Sequence, residues 1–191
     1  MLSNHQIKEL REYKCNGFNR INQGESSWTY PRVTISKAYA DDLLDGLKKT
    51  HKLLSIGSDS KTVKGEKLNV KTGVMYLAPA SSSGVMNVCV KASAACIEAC
   101  LNTAGRASFD TNIEKARINR TIWFVKFKPQ YWARLVKEIQ AFIRKANRMG
   151  LIPVFRPNGT SDQPWERIKI VGTEFDGLTI FEAFPELQIY D

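Results

Sequence analysis

The sequence predicts an α/β protein, a partial or incomplete (β/α) barrel-like parallel sheet with an N-terminal helical appendage. Three observations predict it. From Lys67 onward, short apolar runs (VMYLAP, LIPVFR) alternate with long helical periodicities, which is the pattern of βαβ units. Residues 1–60 read instead as helices and a polar linker, which leaves 61–191 as the α/β domain. Only about three βα units can be counted, whereas a closed eight-unit barrel takes about 250 residues. The sheet is therefore expected to be small and open, or completed by a partner chain or a second copy.

The elements follow in order. Ser3 to Lys14 reads as a short amphipathic helix capped by Ser3, with Ile7, Leu10 and Tyr13 on one side and Asn16-Gly17 as its stop. A second helix is expected from Ser36 to about Leu54, with Tyr39, Leu43, Leu44 and Leu47 inward. The Gly- and Ser-containing run SIGSDSKTVKGE reads as a mobile linker or hairpin. Val74 to Ala78 is a strand, followed by the turn PASSSG. A helix or helix pair is expected from Asn112 to about Phe127, and Pro129 opens another that runs to Arg148. In that last helix Trp132, Leu135, Val136, Ile139, Phe142, Ile143 and Ala146 share one face. Arg134, Lys137, Arg144, Lys145 and Arg148 take the opposite face, and Gly150 ends the helix. LIPVFR is a buried strand, PNGTSDQPW a loop and Leu178 to Phe184 a short helical segment. After Pro185, Leu187 to Tyr190 is the last strand.

Composition narrows the function classes. A chain of 191 residues with 43% hydrophobic content can bury a real core. It has no apolar run near the roughly 18 residues that span a bilayer. MLSNHQIKELREYK lacks the apolar region of a secretory signal, and four cysteines are too few for a disulfide scaffold. The net charge of +9 points to a polyanionic partner, nucleic acid above all. That charge is concentrated: Asn112 to Gly150 holds ten Lys or Arg against two acids, while Leu151 to Asp191 holds three against seven. Arg117 and Arg120, with Arg134, Lys137, Arg144, Lys145 and Arg148, are the candidate phosphate contacts.

Cys89, Cys96 and Cys100 form a C-x6-C-x3-C cluster at a strand-to-helix turn. Spacing of i,i+4 would put Cys96 and Cys100 on one helical face, with Cys89 folding back from the loop. Three thiolates suit an iron–sulfur cluster or a zinc ion. The same residues also read as small core thiols that bind no cofactor, or as a redox pair. Cys15 is treated as a lone thiol.

The second constellation is the loop Asn158-Gly159-Thr160-Ser161-Asp162, also after a strand. In parallel sheets ligands sit beyond the carboxyl ends of the strands, so both motifs are expected on one rim. Asp162 could serve as base, nucleophile or metal-shell ligand, and Thr160 and Ser161 could bond a phosphate or sugar. Arg156 could aim a guanidinium there, with Asn158 beside it. The structural alternative is a capped turn, with Asp162 starting a short helix at Pro164. His5 and His51 are isolated, and no Walker loop, GxGxxG or HExxH motif occurs.

KTGVMYLAP, the three-cysteine stretch, CLNTAGR, EKARINRT and the NGTSD loop together resemble the gene-product-88-like family of bacteriophage proteins, from about Leu68 to Asp191. The resemblance implies a phage-encoded protein in a host cytoplasm and a metal or iron–sulfur relative of the (β/α)8 barrel. It implies Cys89, Cys96 and Cys100 as the cluster site, with Asn158 to Asp162 on the same face. The cysteine spacing differs from the C-x3-C-x2-C of radical enzymes that use S-adenosylmethionine, so that chemistry is not carried over. The expected function is action on nucleic acid or nucleotides, with base modification as one form. The alternative is a non-catalytic basic protein that binds nucleic acid or a host protein.

Overall fold

The computed structural model describes Asp45 and residues 52–57, 60–100 and 110–191. Its centre is a four-stranded open sheet in the order β1-β2-β3-β4, formed by Leu54–Ile56, Val70–Met75, Ile152–Arg156 and Gln188–Ile189. β2, β3 and β4 are parallel, as the alternation of strands and helices requires. β1 is not: it pairs antiparallel with β2, Leu54 opposite Met75. This corrects the all-parallel expectation. Among the described residues, the connection from β1 to β2 holds a five-residue helix, α1 (Ser60–Lys64), and a 3-10 turn at Gly65–Leu68. The segment expected as a mobile linker or hairpin thus joins two adjacent antiparallel strands through helical turns rather than a tight turn.

The helix expected to reach Leu54 stops sooner. Asp45 is helical, but Leu54 already begins β1. Glu138 explains how that strand is held, since its Oε2 accepts the N–H groups of Leu53 and Leu54 at 2.8 and 2.9 Å. β1 lies within the 1–60 segment and yet belongs to the sheet. The expected helix from Ser3 to Lys14 lies outside the described residues.

β2 leads to α2 (Ala94–Glu98), and then α3 (Thr111–Lys126) and α4 (Lys128–Arg148) return the chain to β3. Phe127 alone separates the two long helices, with Pro129 in the first turn of α4. The apolar stripe of α4 packs on the sheet. Tyr131, Trp132, Leu135, Val136, Ile139, Phe142, Ile143 and Ala146 are all buried, including every residue that the period selected. The Phe142 ring packs over Gly73 of β2, 3.5 Å from the point where a Cβ would sit, an ordinary van der Waals contact. Phe124, Tyr131, Trp132 and Trp165 form an aromatic cluster with ring centroids 5.3–6.2 Å apart. Trp165 brings the second loop into that core.

β2 ends at Met75 rather than Ala78. Beyond Met75 the chain stays extended, but its partners change. Ala78 N–H donates to Thr121 Oγ1 at 2.8 Å, and Pro79 has no N–H to give. After β3, the chain closes through α5 (Ile180–Ala183), whose N-terminus carries a capping box of Thr179 and Glu182. Among the described residues no helix is long and apolar enough to cross a membrane.

Candidate functional site

The rim at the carboxyl ends of β2 and β3 gathers the two motifs, which lie far apart in sequence. Cys89 and Asp162 pair as an isolated parallel β-bridge. Asp162 N–H donates to Val88 O at 2.8 Å, and Gln163 Nε2 donates to the same oxygen at 3.0 Å. The loop from Pro79 to Cys89 is closed on itself: Val88 N–H bonds to Ala80 O at 3.0 Å, and Cys89 N–H to Asn87 Oδ1 at 2.9 Å. Ala80 adopts a left-handed φ of 47°, uncommon for a residue with a Cβ. Its N–H points at Cys89 Sγ, 3.3 Å away.

Cys89 is half-buried. Burial pushes its thiol pKa up; the Ala80 N–H opposes this, while Cys100, Asp162 and Cys96 all add to the rise. Burial is the leading cause, and the neighbouring thiols and carboxylate are secondary to it. Cys96 lies exposed on α2, where Ser93 Oγ caps the helix by accepting Cys96 N–H at 3.1 Å. Cys100 does not share that helix. α2 stops at Glu98, with Ala99 as its C-cap, so the expected i,i+4 pair is not formed. None of Cys89, Cys96 and Cys100 is in a disulfide. Among the described residues, no three His, Cys, Asp or Glu side chains already form a metal-binding group.

The second loop is tightly engaged. Asn158 Oδ1 accepts from Ser161 Oγ, Gln163 N–H and Trp165 Nε1, and its Nδ2 donates to Gln163 O and to the Asp191 carboxylate. Thr160 Oγ1 donates to Leu77 O at 2.6 Å. Both hydroxyls expected to meet a ligand are thus bonded within the fold. The Asp162 side chain is exposed. The helix that Asp162 might have started is a turn at residues 165–167. Arg156, last in β3, is half-buried, and its Nε is buried without a hydrogen bond.

What sequence reasoning missed is the contact between Gly159 of the second loop and Tyr76 at the end of β2. A Cβ at Gly159 would fall 2.6 Å from both Met75 O and the Tyr76 ring. The Arg117 guanidinium stands 5.1 Å from the centroid of that ring. Tyr76 therefore ties α3, the end of β2 and the second loop together. The Asn-Gly pair signalled a turn, but nothing in the sequence signalled this contact.

The expected basic face divides. Arg117 is only 8% exposed, and burial lowers its pKa. Arg120 donates through Nε and Nη2 to Lys52 O, and Arg134 binds Glu138 at 2.7 Å. Lys137, Arg144, Lys145 and Arg148 are exposed and have no acidic partner among the described residues. α4 enters β3 directly after Arg148, so Arg144, Lys145 and Arg148 sit where β3 begins, whereas the rim is where it ends. The five residues of β3 set those two ends about 13–17 Å apart.

An open, mixed α/β sheet with a thiol- and carboxylate-bearing rim defines the class. The chain belongs to the gene product 88 family, a phage gene-product family whose model matches residues 45–191. No curated protein and no solved structure matches the chain.

Proposed function

We propose that this phage protein acts on nucleic acid or nucleotides at the rim, holding a zinc ion or an iron–sulfur cluster through Cys89, Cys96 and Cys100. The observation that carries the reading is the bridge between Cys89 and Asp162, which brings the two motifs side by side. The donor set fits by kind, while among the described residues no three of these side chains are grouped around one point, so binding would have to draw them together. Thiolates are the ligands that zinc and iron–sulfur clusters take. Bound there, the group would supply Lewis-acid or redox chemistry, with base modification as one outcome. The chain would supply its enclosure: a Cys89 loop pinned to Val88 and Ala80, and a second loop fixed by Asn158. The open sheet is read as part of a barrel-like arrangement, and the host cytoplasm as the reducing setting that keeps the thiols available.

Anaerobic purification with iron, zinc and sulfide analysis tests this, wild type beside Cys96→Ala. Stoichiometric metal that is lost in the variant supports the reading. A metal-free wild type rejects it.

A second reading has its own observation. Arg144, Lys145 and Arg148, without an acidic partner among the described residues, lie towards the opposite end from the rim, so they can grip a phosphate backbone without the rim taking part. Binding of metal-depleted protein to any DNA or RNA, weakening steeply with salt, would favour a non-catalytic binding protein.

A further inference from the structure

The end of the sheet opposite the rim gathers exposed apolar side chains. Asn69 O accepts the Ile152 N–H at 2.8 Å, and Val70 stands in register with Ile152. Residues 67–69 therefore lie beside the chain that leaves α4 for β3. Leu68 is 77% exposed, and Met149 and Ile152 are exposed with it. Single apolar side chains are ordinary on a surface, but several together, rimmed by polar groups, mark an interaction site. The same segments carry Lys64, Lys67, Lys145 and Arg148, all exposed and without an acidic partner among the described residues. Glu66, between Lys64 and Lys67 in the chain, is held by the buried Lys71.

A sugar–phosphate backbone would use these cations and give Leu68, Met149 and Ile152 little to pack against. An acidic protein surface with apolar side chains of its own would use both. This chain carries such a surface. Residues 170–191 hold five acids and no Lys or Arg. Of those acids only Glu182 has a cation against it, Lys169, among the described residues. Leu178 and Phe181, three positions apart at the start of α5, are exposed, and so is Glu186.

We infer that the protein associates with itself. The basic apolar patch of one copy, at Leu68, Met149 and Ile152, seats against the acidic apolar segment of a second copy, around Leu178, Phe181 and Glu186. Because the two surfaces differ, the contact is either reciprocal within a dimer or head to tail in a longer assembly. Apolar burial supplies affinity, while the opposite charges set register and speed encounter. The contact stands apart from the rim and does not depend on metal binding there.

Sedimentation velocity and light scattering of the full chain, over a range of protein and salt concentrations, test this. Wild type is expected to associate, and more weakly as salt rises. Leu68→Ser should weaken association at least about tenfold. Lys145→Glu with Arg148→Glu in one variant, and Glu174→Lys with Glu186→Lys in another, should each stay monomeric, since like charges then face one another. Mixed, these two variants should associate with each other. Far-ultraviolet circular dichroism checks that all are folded. Wild type that stays monomeric at every concentration overturns the inference. Association that ignores these substitutions puts the interface elsewhere and overturns it too. A monomeric wild type whose binding to duplex DNA is weakened by Leu68→Ser would give the patch to nucleic acid instead.

Discussion

The indole Nε1–H of Trp165 donates to Oδ1 of Asn158 at 2.8 Å, inside the aromatic core. A residue expected at a binding rim is thereby the tie between the second loop and the packed interior. The same oxygen accepts the buried Gln163 N–H. Asn158→Leu would strand two buried donors, each costing about 1–3 kcal/mol. The variant should lose roughly 2–4 kcal/mol in chemical denaturation. A loss below about 0.5 kcal/mol would show that water replaces these bonds and that the loop does not depend on Asn158.

Gly159→Ala tests the contact with Tyr76. The added methyl meets the Met75 carbonyl and the Tyr76 ring at 2.6 Å, and the carbonyl belongs to the sheet. Overpacking of this kind costs about 1–3 kcal/mol, so the melting temperature should fall by several degrees. A crystal structure of the variant should show the second loop displaced from Tyr76. An unmoved loop with unchanged stability would refute the close packing.

Cys89 should be the slowest of the three rim thiols to alkylate. Burial raises its pKa above the ordinary thiol value, so at pH 8 less of it is thiolate, and thiolate is the reactive form. Asp162→Asn removes one of the charges that oppose ionisation, and should speed its reaction. A time course with iodoacetamide, read by mass spectrometry of peptides, measures both effects. Cys89 labelled before Cys96 would contradict the burial and charge arrangement.

The exposed stripe of α4 carries a salt-dependence prediction. Lys137 and Arg148 are eleven positions apart, a rise of about 16 Å along the helix. If all four cations meet phosphates, replacing Lys137, Arg144, Lys145 and Arg148 by Gln should reduce the slope of log K against log salt by about 3–4 for duplex DNA. Fluorescence anisotropy across a salt series reads the slope. Arg120→Gln should leave the slope unchanged, because that guanidinium is held on Lys52 O. Equal slopes for wild type and the fourfold variant would mark the stripe as a solvated surface.

Much of the architecture was legible in the chain itself. The buried stripe of α4, its exposed cations, the strand in LIPVFR and the alternation that makes β2, β3 and β4 parallel all follow from local periodicity. That is a property of neighbouring residues, because 3.6 residues per turn or two per strand repeat decides which side meets water. The gene product 88 resemblance rested on short local motifs too, and the family match confirms it. Tertiary structure alone decided the rest. It set β1 antiparallel, removed Arg117, Arg120 and Arg134 from the basic face, and stopped α2 before Cys100. It also paired Cys89 with Asp162 and turned Asn158 inward to Trp165. Each of these depends on which distant group satisfies a given donor, acceptor or charge once the backbone has closed. A sequence shows that such a group exists, and only the folded chain shows what it has already bonded to.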